Sequence, residues 1–210
     1  MSIRKRLIRT VAVVCAVSPA LLALAPAGAS ARERPHFGRP QAPATFGYTS
    51  LTLNPQTAST LTTGLGLTVT PIVPASAGWN GAIDFPITNP FFNALTSGQI
   101  DHSGGIAISN GSTTVDLENF DINIVNQTLS ADVSVVNGST TTSDGRVTIV
   151  NLSFAGSSLR FGFGGIVLGP VTATLNSTAL TVLGDTFNVP AVSSMNSLPL
   201  GTATVNYRLF

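Results

Sequence analysis

The sequence predicts an all-β domain, an antiparallel β-sandwich or barrel-like sheet with one or two short helices. Three observations favour this fold class. Only 9% of the 210 residues are charged, against about 25% in ordinary soluble domains, and Thr, Ser, Asn and Gly, which are poor helix formers, fill the difference. Apolar and polar residues alternate with the two-residue period of a half-buried strand. Asn-Gly and Asp-Gly pairs, which suit tight hairpin turns, fall near the ends of the alternating segments.

The N-terminal segment has the order of a secretory signal peptide. A basic start over residues 4–9 precedes an apolar run over 11–25, and Ala29-Ser30-Ala31 forms an A-x-A cleavage site. A transmembrane anchor is the alternative, but the apolar run is shorter than the ~20 residues that span a bilayer, and proline interrupts it. We therefore expect residues 1–31 to be a signal peptide and the protein to be exported.

Removal of this segment changes the chemistry open to the chain. The only lysine, Lys5, and the only cysteine, Cys15, lie within it, so disulfides, zinc-thiolate sites and cysteine nucleophiles are not expected in the exported chain. Residues 32–44 are rich in Arg and Pro and predict a flexible N-terminal arm. From residue 45 onward three arginines face eight carboxylates, a formal net charge of −5, which argues against a nucleic-acid partner because such a partner needs a basic patch.

Residues 45–210 predict a single β domain, since about 165 residues is an ordinary domain size. Strand-like alternation and turn pairs predict successive hairpins from Gly98 to Gly169. No segment of this domain is long and apolar enough to span a membrane as a helix. The turn pairs are Asn110-Gly111, Asn137-Gly138 and Asp144-Gly145.

Two similar segments bracket these hairpins. Thr52-Leu53-Asn54-Pro55 leads from a strand to an Asn N-cap with Pro at the first helical position, and Thr174-Leu175-Asn176 opens a second segment of the same kind. Each predicts a helix of about two turns, a glycine stop and then an extended stretch, over Leu67–Pro71 in the first and Phe187–Pro190 in the second. A final strand is predicted over Thr202–Arg208.

His102 is the one histidine of the predicted domain, and Asp101 and Ser103 flank it. Neighbouring strand residues point to opposite faces, whereas a Ser-His-Asp triad is assembled from separated positions, so the adjacency argues against a triad. We interpret His102 as a strand histidine with a hydrogen-bonded ring. A ligand contact is the alternative, and catalysis is the least favoured role.

Other candidate sites are weaker. One histidine without cysteine argues against zinc, copper and iron sites of the usual kinds. Asp116, Glu118 and Asp121 lack the spacing of an EF-hand loop and are interpreted as part of a solvated sheet face. The segment Phe161-Gly162-Phe163-Gly164-Gly165 predicts a structural bend, with the alternative that Phe161 and Phe163 line a pocket.

The segment GQIDHSGGIAISNGSTTVDLENFDINIVNQTLSADVSVVNGS, followed by RVTIVNLSFAG, resembles the core of the HtaA-type domains of exported actinobacterial proteins. The resemblance covers about residues 98–155 and includes the glycine-x-x-x-His start, the strand around VDLENF and the strand TLSADVS. It implies the same β fold. It also implies haem binding in iron uptake at the cell surface, through an axial tyrosine supported by a histidine. His102 falls at the histidine position, while the tryptophan-containing segment that precedes the tyrosine in the family is not reproduced, which leaves Tyr48 and Tyr207 as the available tyrosines.

Together these observations predict an exported, non-enzymatic β domain, secreted or associated with the cell wall. We expect it to act as a binding or structural module for a small ligand or a cell-envelope polymer, without a cofactor. The alternative is a haem-binding protein of HtaA type, with His102, Tyr48 and Tyr207 as cofactor-binding residues. A secreted hydrolase comes third, because Asp116 and Glu118 form an acid pair with no accompanying base or nucleophile.

Overall fold

The structure, a computed structural model, describes residues 45–208. Twelve strands within this range form one antiparallel sheet. The expected signal peptide (1–31) and arm (32–44) lie outside the described residues. The strands are β1 (Gly47–Leu53), β2 (Thr68–Ile72), β3 (Ser76–Ala77), β4 (Ile83–Pro86), β5 (Gln99–Asp101), β6 (Gly105–Ser109), β7 (Thr113–Asn123), β8 (Thr128–Asn137), β9 (Thr140–Ser153), β10 (Ser158–Gly162), β11 (Gly165–Asn176) and β12 (Ser197–Tyr207).

The sheet is nearly closed and barrel-shaped. Its strand order is β2-β6-β7-β8-β9-β11-β12-β1-β4-β3, with β5 paired to β7 and β10 paired to β11. Past the end of β4, Ile87 forms a bridge with His102, just past the end of β5, and the Thr88 N–H donates to the Asp101 carbonyl at 2.8 Å. Because β5 is paired to β7, these bonds join the two halves of the sheet along a seam. The predicted all-β fold with a barrel-like antiparallel sheet is confirmed.

The predicted run of hairpins is present, with one correction. Strands β6 to β9 pair in succession, and Gly111 and Gly138 have positive φ in the turns between them. Asp144-Gly145 was predicted as a turn but lies inside β9. The β8–β9 register shifts there, so the positive φ of Gly145 serves a β-bulge rather than a chain reversal.

Both predicted helices begin at their predicted caps. Helix α1 (Pro55–Ser59) continues into a π-helical turn (Thr60–Gly64), and α3 (Ser177–Thr186) follows Asn176. The Asn54 side-chain oxygen accepts from the Gln56 N–H at 2.9 Å, and the Asn176 oxygen accepts from the Ala179 N–H at 2.9 Å. The extended stretch predicted over Leu67–Pro71 is present as β2.

The second segment differs from its prediction. Helix α3 passes through Gly184, and α4 (Pro190–Ser193) occupies the place of the extended stretch expected over Phe187–Pro190. Gly184 has no side chain at the point where Ser193 approaches, so it permits helix packing rather than ending the helix. Two further short elements were not predicted, α2 (Phe91–Ser97) and a 3₁₀ turn (Trp79–Gly81). No helix within residues 45–208 combines the length and apolarity that crossing a membrane requires.

The hydrophobic core fills the inside of the sheet. The inward positions of β7 and β8 alternate with outward ones, as the sequence period predicts, and Val115 and Val133 are fully buried there. Leu180 of α3 is also fully buried, so this helix covers one end of the interior. The Phe85 and Phe120 rings meet edge to face at 5.0 Å between centroids, which packs β4 against β7 on the inner side of the seam.

Candidate functional site

His102 lies inside the sheet at the seam that closes it. The residue follows β5, and its backbone N–H donates to the Phe120 carbonyl of β7 at 2.8 Å. On its other side it bridges Ile87, next to β4. Its side chain is 5% exposed. His102 therefore lies directly after a strand rather than within it, at the isolated bridge that closes the seam.

Both ring nitrogens of His102 are occupied. Nδ1 lies 3.1 Å from the Phe120 carbonyl oxygen, which can only accept, so Nδ1 carries the proton and donates. The unprotonated Nε2 then accepts from the Thr49 hydroxyl of β1, 2.7 Å away. Thr49 is itself 4% exposed. The ring thus joins β7 to β1 across the inner face of β4, and its polar atoms are satisfied inside an apolar core.

Burial determines the protonation state of His102. Desolvation lowers its pKa from 6.5 to about 4, although hydrogen bonding to the Phe120 and Ile100 backbone acts in the opposite direction. The imidazole is therefore neutral near pH 7. A general base needs a pKa close to the working pH and an accessible lone pair, and this ring has neither.

A cavity of about 90 Å³ lies in the interior next to this histidine. Its lining is apolar except for Thr49 and His102, and those two side chains bind each other. The volume is several times smaller than the ~300 Å³ at which pockets for drug-sized ligands begin, so a porphyrin does not fit inside. The cavity presents a dry apolar surface to a small group.

Tyr207 points into the sheet from the end of β12. It is 5% exposed, its ring lies 5.3 Å from that of Phe91, and its hydroxyl donates to the Asn89 side-chain oxygen at 3.3 Å. Burial first, and the nearby Asp101 carboxylate second, raise the pKa of Tyr207 well above its usual value. The phenol is held in its protonated form, whereas a tyrosine ligand to iron is a phenolate.

Tyr48 lies on the outer face of β1. It is 37% exposed, and the next residue, Thr49, points inward to His102, because side chains alternate along a strand. His102 and Tyr48 are therefore on opposite faces of the sheet. As placed, the three residues named as haem ligands do not converge on one position, and the only inward tyrosine, Tyr207, is bound to Asn89.

The other predicted candidates lie apart from this site. Asp101 is exposed, while the Ser103 hydroxyl is buried and has no hydrogen-bond partner. Arg146 lies 3.8 Å from Asp121 and 3.0 Å from Asp132. Burial, followed by repulsion from Asp101, raises the pKa of Asp121, and Arg146 opposes this shift. Within residues 45–208 no three histidine or acidic side chains come together as a metal site would require.

The Phe-Gly segment is a hairpin turn. The predicted bend lies at Phe163-Gly164, between β10 and β11. Phe161 is 72% exposed and Phe163 is fully exposed, and neither lines the cavity. The alternative of a pocket lined by these rings is therefore wrong.

Thr49 is a residue of this site that the sequence does not indicate. Nothing in its local pattern distinguishes it from the other threonines of the chain, because its role depends on the register that places β1 beside β4. Thr49 pairs with Phe85 across that register. Only the alternation of β1, with Leu51 also buried, could have indicated that Thr49 points inward.

The fold is similar to that of a solved protein domain, the C-terminal domain of HtaA from Corynebacterium glutamicum. The TM-score is 0.51 and the sequence identity is 14%, over 76% of this chain and 95% of that one. No family model matches the sequence, and no curated protein matches it. At this identity the likeness concerns the fold, and it confirms the HtaA-like architecture that the sequence resemblance implied.

Proposed function

We propose that this protein is an exported, non-enzymatic binding module of HtaA-like fold, secreted or held at the cell wall, whose ligand is a small apolar molecule or the apolar end of a larger one. The interior cavity carries this proposal. Its lining is apolar except at Thr49 and His102. These two side chains form a hydrogen bond with each other, so the cavity offers a ligand mainly hydrophobic contact.

Export is supported by the sequence. The order of basic start, apolar run and small-residue cleavage site over residues 1–31 is that of a secretory leader. The chain after this segment has neither cysteine nor lysine, and its Thr, Ser and Asn residues supply outward strand positions and turns.

A non-enzymatic role is supported by the state of the chemically active side chains. The His102 ring donates to a backbone carbonyl and accepts from Thr49, so neither nitrogen is open to a substrate. Asp101 and Ser103 contact neither ring nitrogen, and Tyr207 is held protonated by burial.

Titration with 1-hexanol tests the apolar ligand. We expect selective shifts of the methyl resonances that line the cavity, such as those of Val133 and Ile106, in ¹H–¹³C NMR spectra. Ala173→Leu adds three carbons at a lining position and should abolish the shifts. Val167→Leu, on the outer face of β11, is the matched control and should keep them. Unchanged methyl resonances in the folded wild type would refute the proposal.

Haem binding is a second candidate, favoured by the HtaA-like fold and by His102 at the position that the resemblance predicts. Haem would have to bind outside the small cavity, where Tyr48 is the exposed phenol. Titration with haem decides it. A Soret band that is lost in a folded Tyr48→Phe variant would establish this candidate, and no spectral change at stoichiometric haem would remove it.

A further inference from the structure

Three apolar side chains stand in solvent at the β10–β11 hairpin. Leu159 is 50% exposed, Phe161 is 72% exposed and Phe163 is fully exposed. Every residue of β10 is exposed, since this strand pairs only with β11. We call these three side chains the apolar tip. Single exposed apolar residues need no explanation, whereas a contiguous group marks an interaction surface.

A further exposed aromatic residue, Phe92, lies at the same end of the sheet as the apolar tip. Phe161 pairs with Ile166 across the hairpin, and Ile166 pairs with Tyr207. Directly opposed residues of antiparallel strands share a face. The Tyr207 ring contacts Phe91, and Phe91 lies 5.9 Å from Phe92, which is 72% exposed. The buried Ile166 and Tyr207 therefore connect the hairpin to helix α2, which carries Phe92 as a further exposed aromatic residue.

Cations accompany the apolar tip in a domain that is otherwise acidic. Of the three arginines among residues 45–208, Arg146 is held by two carboxylates. Arg160 lies between Leu159 and Phe161 in sequence and points to the opposite face of the hairpin. The Arg208 Cα is a close neighbour of Gly165, at the start of β11.

Neither Arg160 nor Arg208 forms an ion pair with a carboxylate of the described residues. Among the described residues, the two arginines without a carboxylate partner thus lie at the apolar tip, in a domain with a formal net charge of −5. This arrangement gives the tip an apolar side and a cationic side.

We propose that the apolar tip, with Arg160 and Arg208, is a docking surface for an anionic lipid bilayer. Phe161 and Phe163 enter the boundary between headgroups and acyl chains, to a depth of about 5–10 Å. The arginines stay at the level of the headgroups and bind phosphate, for which the guanidinium is well suited. The unpaired edge of β10 remains in the hydrated layer, because free backbone groups are not tolerated in hydrocarbon.

The shape of the tip favours a bilayer over a protein partner. Three side chains of about 150–250 Å² each supply less than the ~800 Å² that each partner of a stable protein complex buries. A convex two-residue turn also offers no groove for a partner segment. A bilayer needs neither a groove nor a fixed outline, and its phosphates complement the two arginines.

Flotation with lipid vesicles tests this surface. We expect the purified protein to bind vesicles of equimolar phosphatidylcholine and phosphatidylglycerol, and to bind pure phosphatidylcholine at least about tenfold more weakly. Added salt should weaken the anionic preference, because it screens exposed charges. A wild-type protein that floats with neither vesicle would overturn the proposal.

Substitutions assign the binding to particular side chains. Phe161→Ser and Phe163→Ser should each lower vesicle affinity by about tenfold or more, since the burial of a phenylalanine is lost. Arg160→Gln with Arg208→Gln should remove the preference for anionic lipid. Trp79→Ser is the matched control, because Trp79 is 86% exposed but lies before β4, away from α2, and it should leave binding unchanged.

Tryptophan fluorescence tests directly whether the apolar tip contacts the bilayer, without a variant that loses binding. In a Trp79→Phe background, Phe163→Trp places the single tryptophan at the tip, and its emission should shift to the blue at lower lipid concentration with anionic vesicles than with pure phosphatidylcholine. An unchanged emission during flotation would show that another surface binds lipid and would overturn the assignment. So would a wild-type dimer in size-exclusion chromatography that Phe163→Ser converts to a monomer, because the tip would then be a self-association surface.

Discussion

The Thr49 hydroxyl lies 2.7 Å from Nε2 of His102, and this bond ties β1 to the seam where the sheet closes. The other ring nitrogen is bound to β7 through the Phe120 carbonyl. One side chain therefore joins strands that are 53 and 18 residues away in sequence. Because both bonds are buried, their loss leaves polar atoms unsatisfied in an apolar interior.

The low pKa of His102 predicts loss of stability in mild acid. Its pKa is about 4 in the folded protein and 6.5 without burial, so between these values the unfolded chain binds a proton that the folded chain does not. The free energy of unfolding should fall as pH is lowered from 6.5 to about 4, by about 3 kcal/mol in total, and this contribution should level off below that.

Urea unfolding at a series of pH values measures how the free energy of unfolding changes with pH. The His102→Gln variant should lack the decrease that is due to His102. The imidazole Cε1–H resonance provides a second measurement, since it should not titrate in the folded protein above about pH 5. A folded-state pKa near 6.5 would contradict the prediction.

The hydroxyl of Thr49 should matter more than its methyl group. Thr49→Val removes the donor to Nε2 and should destabilise the protein by about 1–3 kcal/mol, although it leaves the shape nearly unchanged. Thr49→Ser keeps the donor and loses one methyl group, at about 1 kcal/mol. Chemical denaturation compares the two. Equal or greater loss in Thr49→Ser would mean that packing, not the hydrogen bond, holds this position.

Two strand glycines should respond differently to the same substitution. A Cβ at Gly105 would collide with the Leu117 carbonyl oxygen of β7, whereas a Cβ at Gly162 would meet nothing. Neither glycine has a positive φ, so the comparison isolates the close approach. We expect Gly105→Ala to lower stability by about 1–3 kcal/mol and Gly162→Ala to change it by no more than about 0.5 kcal/mol. Thermal unfolding of the two variants measures this difference in stability, and similar midpoint temperatures would contradict the expectation.

Asn176 has two separable roles at the start of α3. Its side-chain oxygen accepts from the Ala179 N–H at 2.9 Å, and its side-chain nitrogen donates to the Thr148 carbonyl at 2.8 Å. Asn176→Ala should cost about 1–2 kcal/mol, since both bonds are lost. Asn176→Ser keeps a capping oxygen and loses the bond to the Thr148 carbonyl, so it should cost less. The free energy of unfolding in urea distinguishes the two, and a serine variant as unstable as the alanine variant would argue against the capping role.

Local patterns predicted the elements whose causes are local. Asn54 and Asn176 were recognisable as N-caps because their side chains bond N–H groups two and three residues away. Helix α2 was missed for the converse reason, since Pro90 supplies no side-chain cap. Gly184 was misread as a stop because the contact that explains it, with Ser193, depends on the packing of two helices.

The candidate site was predicted only in part. His102 was singled out as the one histidine of the domain, and its place on a buried strand could be reasoned from position. Its partner Thr49, and the opposite orientation of Tyr48, follow from a strand register that no short window contains. The exposure of the apolar tip could not be predicted either, since the Phe-Gly pattern is compatible with both a pocket wall and an exposed turn.

Residue identity and spacing alone establish the strand periodicity, the scarcity of charge and the absence of cysteine and lysine chemistry from residue 16 onward. The tertiary structure decided which strands meet at the seam, that the His102 ring is neutral with both nitrogens occupied, and that two phenylalanines remain in solvent beside two arginines. A two-residue period assigns side chains to two faces without saying which face is inside or which strand lies next to it. Hydrogen bonds between residues far apart in the chain settle those choices only when the sheet closes.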